Sequence, residues 1–312
     1  MTEFERTARL LRSPAPGGVE RGEAIGKMGK KDKEKDKKKK KRKQPLDRHY
    51  LYSASVQSVE ADLKFFRRIY KMKNGRPFRK LREDFCGTAV LACDWVRRGK
   101  ENEAWGVDLD LETLNWGRER YLPKLGKRAG RLHLLNQNVL EVTEPKVDVI
   151  AACNFSYSVF KSRDELSAYF RTARRSLDEG GVLILDAWGG QEVMGEDVEK
   201  RKIDAEKAFD GTKVPGFTYV WEQERFNPVD HHIVCHIHFH TKHGKIKKAF
   251  TYDWRLWTLP EMRELLAEAG FASSEVYIEG WDDEEDEADG IFRRQSYFEN
   301  QDGWVAYVVA YA

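Results

Sequence analysis

The chain has 312 residues, of which 40% are hydrophobic, and its 55 basic and 52 acidic residues leave a net charge of +3. This length allows one large domain or two small ones with a sizeable core. No apolar run approaches the roughly 20 residues needed to cross a bilayer, so we expect no membrane segment. The four cysteines show no CxxC spacing, which indicates free thiols in a reducing compartment, and we expect a cytoplasmic protein.

The first 45 residues predict a disordered tail. The stretch from Lys30 to Lys43 has eleven basic and three acidic residues, and such a segment cannot bury enough apolar surface to offset its ordering entropy. The lysine run could be a solvated tail, a nucleic-acid contact or a nuclear localisation signal, the last implying a nuclear location in a eukaryote. We expect residues 46–312 to form the folded domain.

The folded part begins with an amphipathic helix. Apolar residues recur at a spacing of three to four from Val59 through Leu63 and Phe66 to Tyr70. Residues 81–119 then predict a strand, a turn, a helix and a second strand. Glu83 and Asp84 lie at the end of the first strand, where we expect Asp84 to be a solvated bystander, and Asp108 ends the second.

The turn between these elements, residues 85–89, indicates which ligand it binds. A turn leading into a helix presents backbone N–H groups, and an acid at the tip of the second strand can accept hydrogen bonds from ribose hydroxyls. A dinucleotide pyrophosphate favours three glycines, whereas only Gly87 is present between Phe85 and Ala89. The pattern therefore argues against a pyrophosphate and favours a nucleoside ligand without phosphate.

The segments EDFCGTA (83–89) and GVDLD (106–110) resemble the first two motifs of class I S-adenosylmethionine-dependent methyltransferases. The resemblance covers about residues 50–312 and implies S-adenosylmethionine as cofactor. It implies that Glu83 holds the methionine amino group, that Asp108 binds the ribose, and that the preceding helix covers the ligand. The remaining implied cofactor contacts are Tyr52, Cys86, Gly87, Leu109, Asn138, Val139, Asn154 and Phe155.

Residues 147–160 predict the fourth strand and the reacting region that follows it. Ligands of open α/β sheets bind beyond the carboxyl ends of the strands, so Asn154 and Phe155 are expected at the transfer position. We predict that Asn154 and Tyr157 position the reacting groups. The N-P-P-Y form of enzymes that methylate base amino groups is missing here, which disfavours a nucleic-acid acceptor.

The remaining elements complete an α/β domain. Residues 163–178 predict a helix that ends at Gly180, residues 182–186 the fifth strand, and residues 187–215 helix or loop. Residues 217–257 predict three strands, a β insertion that would act as a substrate lid or a dimer surface. A helix from Thr258, a sixth strand at 271–279, an acidic loop at 280–290 and a last strand at 304–312 follow.

Two groups of side chains in the insertion are candidates for chemistry. His236, His238 and His240 share one strand face, but one strand rarely supplies a full zinc site, so we predict no metal. An aromatic pocket that suits a cationic or amine acceptor is the second candidate, weighed against a plain lid core. Its predicted substrate contacts are Tyr219, Trp221, Trp254 and Arg255.

We predict an α/β, Rossmann-like fold with a mostly parallel seven-stranded sheet, helices on both faces and an antiparallel β insertion. The predicted function is in-line transfer of a methyl group from S-adenosylmethionine to N or O of a small molecule. One alternative is a protein or RNA methyltransferase that docks through the lysine-rich tail. A non-catalytic S-adenosylmethionine-binding protein, a dehydrogenase and a homodimeric assembly also stay open.

Overall fold

The computed structural model describes residues 47–282 and 287–312 of the chain. The predicted tail and the centre of the predicted acidic loop lie outside the described residues. The α-helices are α1 (Arg48–Val56), α2 (Val59–Asn74), α3 (Val90–Arg98), α4 (Leu111–Arg120), α5 (Arg163–Arg175) and α6 (Leu259–Glu268). Short 3-10 segments span Leu122–Arg131, Ser156–Val159 and Glu192–Met194.

The strands form one large sheet, one smaller sheet and a short hairpin. Strands of the large sheet are β1 (Lys80–Asp84), β2 (Glu103–Asp108), β3 (Leu132–Asn136), β4 (Val147–Ala152), β5 (Leu177–Gly189), β12 (Ser273–Asp282), β13 (Glu287–Gln295) and β14 (Trp304–Tyr311). Strands of the smaller sheet are β6 (Asp197–Ile203), β9 (Phe217–Asn227), β10 (His232–Thr241) and β11 (Gly244–Arg255). The hairpin pairs β7 (Glu206–Lys207) with β8 (Lys213–Val214).

The large sheet has the order β13-β12-β14-β5-β4-β1-β2-β3. Strands β1 to β5 are parallel, and β14 runs antiparallel between β5 and β12. All six residues of β4 are buried, as expected for a central strand that is covered on both faces. The predicted α/β class and mostly parallel sheet are confirmed, with the carboxyl ends of β1, β2 and β4 at one edge.

Two strands differ from the prediction because both are charged edge strands. β13 makes an eighth strand where the sequence indicates an acidic loop, and β6 adds a fourth strand to the insertion where helix or loop is expected. Exposed edges avoid pairing with other chains by carrying charged residues, so they lack the apolar alternation that identifies a strand. The antiparallel insertion sheet itself is confirmed, in the order β11-β10-β9-β6.

Helix ends follow local capping. The hydroxyl of Thr258 accepts from the Glu261 N–H while the Glu261 carboxylate accepts from the Thr258 N–H, which confirms the predicted start of α6. The predicted end of α5 at Gly180 is wrong. The helix ends at Arg175, and β5 begins at Leu177. The Ser176 hydroxyl between them lies within hydrogen-bond distance of the Val142 and Thr172 carbonyls, with one hydrogen to donate.

Candidate active site

A cavity of about 260 Å³ lies at the carboxyl ends of β1, β2 and β4. Six of the ten predicted cofactor residues line it: Tyr52, Glu83, Cys86, Gly87, Asp108 and Asn154. Tyr52 comes from α1, whereas α2, the amphipathic helix that was expected to cover the ligand, supplies none of the lining residues. The turn between β1 and α3 supplies one wall, and the insertion strand β11 supplies Phe250, Tyr252 and Trp254 to another.

The turn of residues 85–89 keeps a three-glycine backbone with only one glycine. Phe85, Gly87 and Ala89 have φ values of 56°, 54° and 58°, the left-handed region that favours glycine. A non-glycine residue there costs on the order of 1–2 kcal/mol. Hydrogen bonds hold the turn: the Cys86 N–H donates to the Val107 carbonyl, and the Gly87 N–H donates to Asp108 Oδ2 at 2.7 Å. The tip of β2 therefore fixes the turn that faces the cavity.

Helix α4 packs directly on this turn through Gly117. A Cβ atom at position 117 would lie 2.2 Å from the carbonyl oxygen of Thr88. Backbone cannot approach backbone this closely with any larger residue present. The sequence analysis missed Gly117, which lets helix α4 pack against the turn. The available signal in the sequence was a glycine inside a helical segment.

Glu83 is a buried acid on the cavity wall. Its Oε2 accepts a hydrogen bond from the Ala92 N–H at 2.9 Å in the first turn of α3. Burial, with smaller contributions from the nearby carboxylates Asp108, Asp62 and Asp84, raises the pKa of Glu83 to about 8. A cationic ligand group beside this carboxyl would reverse that effect.

Asp84, expected to be a solvated bystander, is 1% exposed. Its carboxylate pairs with the buried guanidinium of Arg82 and accepts a hydrogen bond from the Tyr169 hydroxyl at 3.0 Å. The prediction that Asp84 is solvated is wrong because adjacent strand residues point to opposite faces, and both faces of β1 are covered. Its partners indicate a structural role.

Asp108 is the last residue of β2 and lines the cavity. It accepts hydrogen bonds from the Gly87 and Asp110 N–H groups, and burial raises its pKa. The Asn136 amide donates to the carbonyls of Asp108 and Leu109 and so ties β3 to the tip of β2. Leu109 itself is 69% exposed and lies outside the cavity lining, as an apolar side chain next to Asp108.

The predicted adenine-edge pair is placed away from the cavity. β3 ends at Asn136, so Asn138 lies in the following turn, where its Oδ1 accepts from the Leu140 N–H. Val139 is buried among hydrophobic residues. Neither side chain reaches the cavity lining in this structure, so their predicted cofactor contacts are not supported.

The loop that leaves β4 is held by an acid that the sequence analysis did not select. Asn154 and Phe155 have φ values of 59° and 57°, and their N–H groups donate to the two carboxylate oxygens of Asp186, at 2.6 and 2.8 Å. Burial raises the pKa of Asp186 to about 7. An acid near the carboxyl end of the fifth parallel strand was the available signal. The predicted positioning residue Tyr157 is 1% exposed and packs in the core instead.

A second cavity of about 120 Å³ adjoins the first and shares Tyr52, Asn154, Tyr252 and Trp254 with it. The predicted substrate residues Tyr219, Trp221 and Trp254 line this second cavity, as does Phe155, which was predicted to contact the cofactor. The predicted contact by Arg255 is not supported. Its guanidinium binds the Lys161 carbonyl and Glu261 and lies over Trp257, outside the cavity lining.

Two of the three candidate histidines of the insertion, His236 and His238, hydrogen-bond to carboxylates. His236 contacts Glu224 at 2.6 Å and His238 contacts Glu222 at 2.7 Å, which satisfies both rings. Within the residues that the structure describes, no three His, Cys, Asp or Glu side chains are grouped for a metal ion. The polar side chains of this strand face are therefore hydrogen-bonded to one another.

Comparisons with known proteins agree with this architecture. No family model matches the sequence. The chain is 22% identical over 204 residues to "Putative methyltransferase YqeM" of Bacillus subtilis (strain 168), covering 64% of this chain and 76% of that protein. A S-adenosylmethionine-dependent methyltransferase of Clostridium acetobutylicum superposes with a TM-score of 0.56 at 17% identity, over 83% of this chain and 96% of that one.

The chain has the fold of class I S-adenosylmethionine-dependent methyltransferases. A second solved structure with this methyltransferase fold is CalS10, an amino pentose methyltransferase from Micromonospora echinaspora with S-adenosylmethionine bound. It has a TM-score of 0.57 at 15% identity and covers 83% of this chain and 95% of its own. The predicted resemblance is confirmed. Among the described residues, no helix is both long and apolar enough to span a membrane.

Proposed function

We propose that this protein is an enzyme that transfers the methyl group of S-adenosylmethionine to a nitrogen or oxygen atom of a small molecule. The observation that carries the proposal is the pair of adjoining cavities, which share four wall residues at the carboxyl edge of a methyltransferase-fold sheet. One cavity has acids and a glycine turn, which suit the cofactor, and the other has aromatic walls, which suit an acceptor.

The residues of the first cavity fit S-adenosylmethionine. The buried carboxyl of Glu83 suits the methionine ammonium, because it lies on the wall without a basic residue among its main electrostatic neighbours. Gly87 leaves room beside the turn, since an added Cβ would meet only Thr113 at 3.8 Å. Asp108, at the tip of β2, suits the ribose hydroxyls.

The chemistry needs little from the protein beyond geometry. Bound S-adenosylmethionine supplies an electrophilic methyl group on a sulfonium. The protein aligns the acceptor with that group and excludes water, which are contributions of orientation rather than of a nucleophile. Asn154 and Tyr252 line both cavities and so stand where the two ligands would meet.

The insertion supports a small acceptor. Strands β9 and β11 supply Tyr219, Trp221, Tyr252 and Trp254, which close the second cavity from one side. CalS10, which has the same fold, acts on an amino pentose. We therefore assign the insertion sheet as a substrate lid.

Calorimetric titration with S-adenosylhomocysteine tests the cofactor site. We expect binding by the wild-type protein and at least a tenfold loss in Asp108→Ala, because a hydrogen bond to a charged group contributes about 1.5–3 kcal/mol. Asp178→Ala is the control, since Asp178 lies at the amino end of β5 on the surface. NAD should not bind. Equal affinities of the two variants, or preferential NAD binding, would overturn the proposal.

A further inference from the structure

The second cavity is walled by aromatic rings that face each other at different angles. Trp188 and Trp221 meet edge to face, with ring centroids 6.1 Å apart and planes at 88°. Tyr252 and Trp254 stack at 4.2 Å and close another side, with Trp221 within 6.5 Å of both. All four rings line the cavity. Several aromatic rings around one small space are the kind of wall over which proteins bind ammonium groups by cation–π attraction.

Charges on the cavity wall favour a cation as well. Asp186 and Glu199 are the acidic residues of the lining, and Arg201 is the basic one. The guanidinium of Arg201 donates to the Ser55 carbonyl and lies 5.2 Å from the centre of the Tyr219 ring, which holds it against the wall. The Asp186 carboxylate accepts hydrogen bonds from the backbone N–H groups of Asn154 and Phe155. Among the described residues, the charged side chain with the main effect on its pKa is another acid, Asp62.

Building on the proposed function, we propose that the acceptor is a small amine, bound as an ammonium among these rings and deprotonated by Asp186. An alcohol would gain apolar contact with the aromatic walls but no cation–π attraction, and a carboxylate would be repelled by Asp186. The second cavity thus selects the chemical class of the acceptor.

The proposed step balances in charge and electrons. The Asp186 carboxylate takes one proton from the ammonium, which frees the nitrogen lone pair. That lone pair forms the N–C bond to the methyl group as the C–S bond breaks, and the bonding pair goes to sulfur. The products are a methylated ammonium, neutral S-adenosylhomocysteine and one proton, which leaves Asp186 for solvent. Burial, which raises the pKa of Asp186 to about 7, makes it a stronger base than an ordinary aspartate.

A pair of isosteric probes tests cation selection. Choline and its uncharged analogue 3,3-dimethylbutan-1-ol are titrated into the full-length protein with saturating S-adenosylhomocysteine, and tryptophan fluorescence is followed. We expect choline to bind roughly tenfold more tightly than the alcohol, because desolvated cation–π contacts depend on charge at equal shape. Trp221→Leu should abolish the preference, whereas Trp221→Phe should retain part of it.

Tyr297→Leu is the control, since this aromatic residue is 82% exposed and outside the cavity lining. Equal affinities for choline and the alcohol, or a preference that survives Trp221→Leu, would overturn the inference. This experiment distinguishes a failure of the amine proposal from a failure of the proposed function. Loss of cation selection with retained S-adenosylhomocysteine binding refutes only the amine, whereas a protein that binds no S-adenosylhomocysteine refutes the proposed function.

Discussion

Replacing Glu83 by Gln should change how cofactor binding depends on pH. Burial raises the pKa of Glu83 to about 8 from an ordinary value of 4.5. With such a pKa, about nine-tenths of the free protein carries the proton at pH 7, from the definition of a pKa. A bound ammonium favours the carboxylate, so that binding drives the proton off.

The direction of the pH dependence follows from how many protons the free protein and the complex hold at Glu83. The free protein holds more protons at Glu83 than the complex, so affinity rises with pH. Below pH 7 the rise approaches tenfold for each pH unit, equivalent to about 1.4 kcal/mol. Burial also raises the pKa of Asp186 to about 7 and that of Asp62 to about 6, so both titrate in the same pH range. Both residues are still present in Glu83→Gln, so the comparison with the wild-type protein removes only the Glu83 carboxyl.

Calorimetry of S-adenosylhomocysteine binding in buffers of different ionisation enthalpy measures the protons released. We expect the wild-type protein to release close to one proton more than Glu83→Gln at pH 7. Glu279→Gln is a matched control, because burial raises the pKa of Glu279 to about 7 and it lies on β12, outside the cavity. Equal proton release by wild type and Glu83→Gln would refute the reasoning.

Three further predictions concern the turn, the core and the tail. Gly117→Ala should lower the free energy of unfolding by about 2 kcal/mol and weaken S-adenosylhomocysteine binding, because its Cβ overlaps backbone, whereas Gly130→Ala, where no atom lies within 4 Å, should do neither. Asp84→Asn should lower the unfolding free energy by about 3 kcal/mol in urea titrations, since it leaves the buried Arg82 charge unpaired; a change below 1 kcal/mol would contradict this. Deleting residues 1–45 should leave methyl transfer to a small amine unchanged, and lost activity would favour the macromolecular acceptor.

Much of the site was predictable because its residues follow strand ends. Glu83, Asp108 and Asn154 each come at or just after the end of a strand, and parallel strands bring their carboxyl ends to one edge. The aromatic wall residues Trp221 and Trp254 were predictable from their place in the insertion. The sequence therefore indicated where both cavities lie, although it selected only a minority of the residues that line each one.

The other features of the site depend on hydrogen bonds and side-chain directions that a sequence pattern does not show. Phe85 and Ala89 keep left-handed backbone without being glycine, in a turn whose Cys86 and Gly87 N–H groups bond to β2 and whose Ala89 N–H bonds to the Cys86 carbonyl. Asp186 was missed because its role comes from two backbone N–H groups about thirty residues away in the chain. Tyr157 faces the core because the short 3-10 turn after β4 directs it inward.

The most direct test of the central claim is a crystal structure of the protein with S-adenosylhomocysteine. We predict that the ligand lies in the cavity beyond β1, β2 and β4, with its amino group beside Glu83 and its ribose on Asp108. Its sulfur should point toward the second cavity near Asn154. A ligand bound elsewhere, or crystals grown at saturating ligand with nothing in this cavity, would contradict the account.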